Sequence, residues 1–146
     1  MSKMHKSAFT LVEVLIVVVI MAVLAATIIP QFSDSTKDAK VSSLEFNLHT
    51  LRSQIQLYKS QHDGEVPSGT LAELLDKTDS KGTISASGAY GPYVAEIPTN
   101  PFNDSNSVKA ITNSPAQAAD VSTTDGWLYN ATTGEIWISH ADYFSE

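Results

Sequence analysis

The chain has 146 residues, no cysteine and a formal net charge of −7. That bounds it to one small domain beside an apolar N-terminal run, and excludes a disulfide framework or a thiolate metal site. Its Lys and Arg residues are scattered, so no basic patch is available to neutralise phosphates and nucleic acid is not an expected partner.

The apolar run Phe9 to Ile29 would reach about 31 Å as a helix rising ~1.5 Å per residue, close to the hydrocarbon thickness of a bilayer. Lys3, His5 and Lys6 precede it with no acid among them; the positive-inside tendency therefore places the N-terminus in the cytoplasm and the acidic body outside. A cleaved secretory signal ending near Ala25 and Ala26 is the plain alternative. Two features oppose it. Glu13 lies inside the run, where a carboxylate costs up to about 2.5 to 3.5 kcal/mol at mid-helix and is usually retained for a purpose. The run also continues past Ala26 through Ile28 and Ile29.

The stretch Ser7-Ala8-Phe9-Thr10-Leu11-Val12-Glu13, with Pro30 beyond it, resembles the class III signal of type IV pilins and of the pseudopilins of type II secretion. Ala8 stands where most members of that family carry glycine. The resemblance implies that a prepilin peptidase removes residues 1–8 on the cytoplasmic side and methylates the new amine of Phe9. It also implies a role for Glu13: the Phe9 amine of an incoming subunit meets the Glu13 carboxylate of one already in a filament. Two charges costly in lipid cost less when paired. Glu13 snorkelling to the headgroups, or pairing with its own Phe9 amine, is the alternative.

Proline at position 30 predicts a kink or loosened turn, because it lacks an N–H and crowds the carbonyl of Ala26. The helix is expected to resume. Val41, Leu44, Leu48, Leu51, Ile55 and Tyr58 repeat at alternating intervals of three and four, one stripe of an amphipathic helix reaching about Gln61. Asp63-Gly64 and Pro67 end it. Phe46 and Leu57 fall on the opposite face and are candidate contacts with a neighbouring subunit. Glu45, Arg52 and Lys59, spaced by sevens, read as a solvated face.

Thr70-Leu71-Ala72-Glu73 fits a capping box and predicts a short helix over Leu71 to Lys77. Residues 126–139, GWLYNATTGEIWIS, read as an antiparallel hairpin turning around Ala131 to Gly134, and Val108 to Thr112 as a third strand. The sheet would cover the Val41 stripe. Gly-Pro-Tyr and Ile-Pro-x-Asn-Pro within residues 88–107, with Gly-Trp-x-Tyr at 126–129, resemble the heads of the major pseudopilins. The expected fold is α+β: a long N-terminal helix, transmembrane in its first half and kinked near Pro30, packed on a small antiparallel sheet. The expected divisions are a leader (1–8), an anchoring and assembly helix (9–30), and an amphipathic helix with its head (31–146).

Asp104, Asn106, Asp120 and Asp125 offer hard oxygen ligands in one loop, and the resemblance implies calcium near this region. Their spacing matches no EF-hand, and Asp and Asn are ordinary turn formers. Four histidines show no metal spacing and no Ser/His/Asp order stands out; no enzyme activity and no other cofactor are expected. The aromatics Tyr90, Tyr93, Trp127, Tyr129 and Trp137 read as core and sheet packing rather than a ligand patch. Asn103 and Asn130 fit Asn-x-Ser/Thr, a pattern that arises often by chance.

The expected function is that of a structural subunit, a homo-oligomer assembling into a type II secretion pseudopilus that drives protein export. A surface type IV pilin is the runner-up, which the lack of a C-terminal cysteine pair disfavours, and a secreted protein is third. The resemblance implies residence in the inner membrane as a single-pass protein with its head outside the cytoplasm, then in a periplasmic or surface fibre. The partners it implies are the prepilin peptidase, an assembly ATPase, a platform protein and minor pseudopilins.

Overall fold

A computed structural model describes residues 9–146; the leader, with Ala8 and the expected cleavage point, lies outside the described residues. Helix α1 runs Leu11–Gln61. It is helical through position 30, so the proline does not end it; the packing of the Pro30 ring lies outside the described residues. Contacts divide the chain into two compact units, residues 1–39 and 40–146.

In the first unit, the segment Leu11–Ile29 is long and apolar enough to cross a membrane, and among the described residues none of its side chains is buried. Thr27 and Thr36 satisfy their hydroxyls on helix carbonyls, Thr27 on those of Val23 and Leu24 and Thr36 on that of Phe32. A hydroxyl bonded in this way brings no orphan donor into an apolar surrounding.

The second unit holds the rest of α1, the single turn α2 (Ala72–Leu75) and strands β1 (Val108–Ala110), β2 (Trp127–Asn130) and β3 (Glu135–Ile138). The sheet order is β1-β2-β3. β2 and β3 form the expected antiparallel hairpin, pairing Trp127 with Ile138 and Asn130 with Glu135. β1 runs parallel to β2, in register from Val108 with Trp127 to Ala110 with Tyr129, so the sheet is mixed rather than antiparallel. The reason lies in the connection: a parallel pair needs a crossover of roughly a dozen residues or more, and residues 111–126 supply one.

Strand alternation builds the core. Trp127, Tyr129, Ile136 and Ile138 meet Leu44, Leu48, Leu51, Ile55 and Tyr58 of α1 in one cluster, while Leu128 and Trp137 join Ile111 and Ala116 in a second. Successive strand side chains point to opposite faces, which separates the two clusters. Two fully buried aromatics place their polar groups on carbonyls: Trp127 Nε1 donates to the Pro98 carbonyl at 2.7 Å and the Tyr129 hydroxyl to the Pro67 carbonyl at 3.0 Å. Val41, at the end of the predicted stripe, is only half-buried.

The capping box expected at residues 70–73 is absent. Leu71 itself precedes α2, in the left-handed region (φ 57°) with no side-chain cap. Glu73 Oε2 instead accepts from the backbone N–H of Ser68 at 3.0 Å and from its hydroxyl at 2.7 Å. α2 is correspondingly one turn long and ends before Lys77.

Candidate functional site

α1 begins at Leu11, which makes Thr10 its N-cap and Glu13 its third residue. The Thr10 backbone N–H and hydroxyl both donate to Glu13 Oε2 at 2.8 Å, and the Glu13 N–H donates back to Thr10 Oγ1 at 3.3 Å. This is a reciprocal capping box, which satisfies donors that the first turn leaves without helical partners. The carboxylate also sits at the positive end of the helix dipole. Among the described residues Glu13 Oε1 accepts no hydrogen bond, so one carboxylate oxygen stays open to a cation while the other is tied down. Phe9 is 83% exposed beside it. The Thr-x-x-Glu signal for this box was present in the sequence; reading Thr10 only as part of the cleavage motif missed it.

Phe46 and Leu57 are exposed in this structure, at 71% and 43%, on the helix face away from the core. Arg52, read as part of a solvated face, is instead half-buried: its guanidinium donates to the carbonyl of Ile136 at 3.2 Å and to a Glu146 oxygen at 2.5 Å. Burial, the larger cause, lowers its pKa against the opposing pull of Glu135 and Glu146. Nothing in the sequence pattern links position 52 to the strand carbonyl it reaches.

The loop residues singled out for calcium do not form one centre. Among the described residues no three His, Cys, Asp or Glu side chains group as a metal site, so Asp104, Asp120 and Asp125 are not gathered. Both Asp120 oxygens accept from the Asn113 amide, and Oδ2 also accepts from the Gln117 N–H. These bonds, Asn113 first and then Gln117, hold the Asp120 carboxyl below its ordinary pKa. Asp125 accepts from the Ser122 hydroxyl at 2.6 Å. Asp104 occupies a left-handed turn position (φ 52°), and Asn106 is exposed. Each acidic side chain with a partner is thus serving a turn.

Asn130 is buried, with its amide donating to the Thr112 and Asn113 carbonyls and its oxygen accepting from Thr132 and Thr133. It is a structural residue with no free amide to modify. The Asn103 amide is likewise engaged, donating to the Asp125 carbonyl at 2.9 Å.

Residues 3–29 match the family model described as the prokaryotic N-terminal methylation motif. The chain is 25% identical to the type II secretion system core protein G of Pseudomonas aeruginosa over 104 residues, 71% of this chain and 73% of the relative. It is 27% identical to the protein of the same name from Aeromonas hydrophila, over 71% of this chain and 73% of that relative. A fimbrial protein of Neisseria meningitidis is 37% identical over 78 residues, 53% of this chain and 45% of the relative. No solved structure matches. The N-terminal segment thus carries the prepilin-type methylation motif, and the chain as a whole is similar to the core proteins of type II secretion and, over a shorter stretch, to a fimbrial protein.

Proposed function

We propose that the chain is the structural subunit of a type II secretion pseudopilus, anchored by α1 in the inner membrane with its head outside the cytoplasm, and drawn into a helical fibre that drives export. The observation that carries this reading is the extent of the similarity to core protein G, which covers 71% of the chain and so extends beyond the N-terminal motif into the head. The reading gives the chain no catalytic role.

Within it, cleavage between Ala8 and Phe9 frees an amine that is methylated, and the open oxygen of Glu13 receives the Phe9 amine of a neighbouring copy. Pairing relieves both charges of most of their cost in lipid, and losing either strands the other. Thr10 fixes the carboxylate in place for that encounter. Phe46 and Leu57 add apolar contact between subunits once the helices lie side by side. The prepilin peptidase, an assembly ATPase, a platform protein and minor pseudopilins are the partners this role requires.

The mass of the membrane-extracted protein tests the processing: a chain beginning at methylated Phe9 supports it, and one intact or beginning near Thr27 overturns it. The fimbrial relative, more identical over a shorter stretch, favours a second reading as a surface pilin. Deleting the gene separates the two. Loss of exported proteins with surface fibres retained supports the pseudopilus; loss of surface fibres with export retained supports the pilus.

A further inference from the structure

The two edges of the sheet are finished differently. At the β3 edge, Arg52 donates to the outward Ile136 carbonyl at 3.2 Å and so closes that carbonyl to another strand. The β1 edge has no such cover among the described residues. Register shows which of its groups are left: the Trp127 N–H donates to the Ser107 carbonyl at 3.1 Å and the Ile111 N–H to the Tyr129 carbonyl at 2.8 Å, so Ser107, Lys109 and Ile111 face β2. The pleat therefore turns the N–H and C=O groups of Val108 and Ala110 outward, and among the described residues no hydrogen bond reaches them. Exposed edges are commonly guarded by a lysine. The lysine of β1 is engaged elsewhere, Lys109 Nζ donating to the Asp120 carbonyl at 2.6 Å.

That open edge borders a groove of about 580 Å³. Leu75, Ala95 and Ile97 supply its apolar lining, Val108 its strand wall, and Glu96 and Asp125 its charge. Leu75 is 38% exposed, although its neighbour Leu74 is fully buried. Glu96 is exposed and joins no ion pair among the described residues. The Asp125 carboxylate is held at the same groove by the Ser122 hydroxyl at 2.6 Å. The lining contains no lysine or arginine, so both carboxylates face the groove without a counter-charge.

We propose that β1 takes up an extended polypeptide segment bearing lysine or arginine, which adds to the sheet as a further strand. Main-chain bonds to Val108 and Ala110 supply the affinity, and alternate side chains of the segment reach the groove. There Leu75 packs along the alkyl stem of a basic side chain while Glu96 and Asp125 meet its charged head. A second copy of this chain is the poorer occupant. Each copy carries a net charge of −7, pairing β1 with β1 would bring two acidic grooves together, and the β3 edge of a copy is closed by Arg52. The site lies in the head and does not depend on which fibre the chain builds.

The test uses the full chain in detergent micelles, titrated with the peptide acetyl-Thr-Lys-Val-Lys-Val-Lys-Thr-amide and, separately, with its counterpart carrying Glu for Lys, while NMR follows the Val108 and Ala110 amides. With the lysine peptide, saturable shifts and slowed hydrogen exchange at both amides are expected. Two further peptides, N-methylated either on the lysines or on the valines, separate strand pairing from plain charge attraction. One set of nitrogens faces β1 and the other faces away, so one methylated peptide should lose binding and the other keep it. Glu96→Lys should weaken the lysine peptide about fivefold, the order of one exposed ion pair, with the melting temperature unchanged because that side chain is exposed. Equal affinity for the glutamate peptide, equal affinity for the two methylated peptides, or unaltered affinity in Glu96→Lys overturns the proposal. Protection of the Val108 and Ala110 amides in a self-associated chain before any peptide is added also overturns it, and assigns the edge to a second copy.

Discussion

The chain contains two nearly identical tetrapeptides, Thr10-Leu11-Val12-Glu13 and Thr70-Leu71-Ala72-Glu73, and only the first folds as its local code directs. At residues 10–13 the Thr and Glu cap each other. Leu11 and Val12 between them are 81% and 59% exposed, so nothing competes with the cap. At residues 70–73, Leu71 and Leu74 are both fully buried. Burying a leucine is worth about 1.5 to 3 kcal/mol, against roughly 1 kcal/mol for a Thr cap and about 1 to 2 kcal/mol for a left-handed leucine. Two leucines outweigh both costs, so the core takes Leu71 and Glu73 finds Ser68 instead. A capping signal is therefore obeyed where burial is silent and overruled where it is not.

The comparison breaks most visibly at the glutamates. Glu13→Ala is expected to leave membrane insertion intact, since it makes the anchor more apolar, and to abolish fibre formation by stranding the Phe9 amine. Fractionation with a fibre assay checks it, and a normal fibre yield would remove Glu13 from assembly. Next in size is Leu71→Ala, expected to destabilise a soluble fragment of residues 31–146 by about 2 to 5 kcal/mol in thermal melts. Leu11→Ala in the full chain has no such cost, because that side chain is exposed.

Thr10→Val should weaken the first turn of α1 by about 1 kcal/mol, read as faster amide exchange at Leu11 to Glu13. Thr70→Val, its counterpart, should stay within about 0.5 kcal/mol in the fragment's melt. Equal effects at the two threonines would mean that the second box forms after all. The smallest effect concerns carboxylates that serve as local acceptors without a helix. Hydrogen bonds, from Thr83 and Lys81 to Asp79 and from Asn113 and Gln117 to Asp120, hold both carboxyls below their ordinary pKa. A lowered folded pKa stabilises above the unfolded value, and that stability is lost as pH falls through the folded one. The fragment's melting temperature should therefore drop on acidification below about pH 4, and Asp120→Asn should flatten that drop.

Much of the candidate site was legible because its signals are consecutive. The apolar run, the carboxylate within it and the small residue before Phe9 need no tertiary contact to be read, and the family model matches the same stretch. The helix stripe and the hairpin were legible for a similar reason: periods of 3.6 and 2 are local properties. The head's acidic loop was not. Asp104, Asp120 and Asp125 are not gathered among the described residues, and Asp120 and Asp125 each close on donors of their own turns.

What the sequence alone determined is therefore whatever follows from neighbours a few positions apart: the membrane-length helix with Glu13 near its start, the buried stripe from Leu44 to Tyr58, and the turn joining β2 to β3. The tertiary structure alone decided the direction of β1, the left-handed Leu71 and the reach of Arg52 to the Ile136 carbonyl. The physical reason is one of range. Helical and strand periodicity act through bonds spanning a few residues, whereas these features balance local cost against burial and hydrogen bonds supplied from distant parts of the chain, and only the assembled core determines that balance.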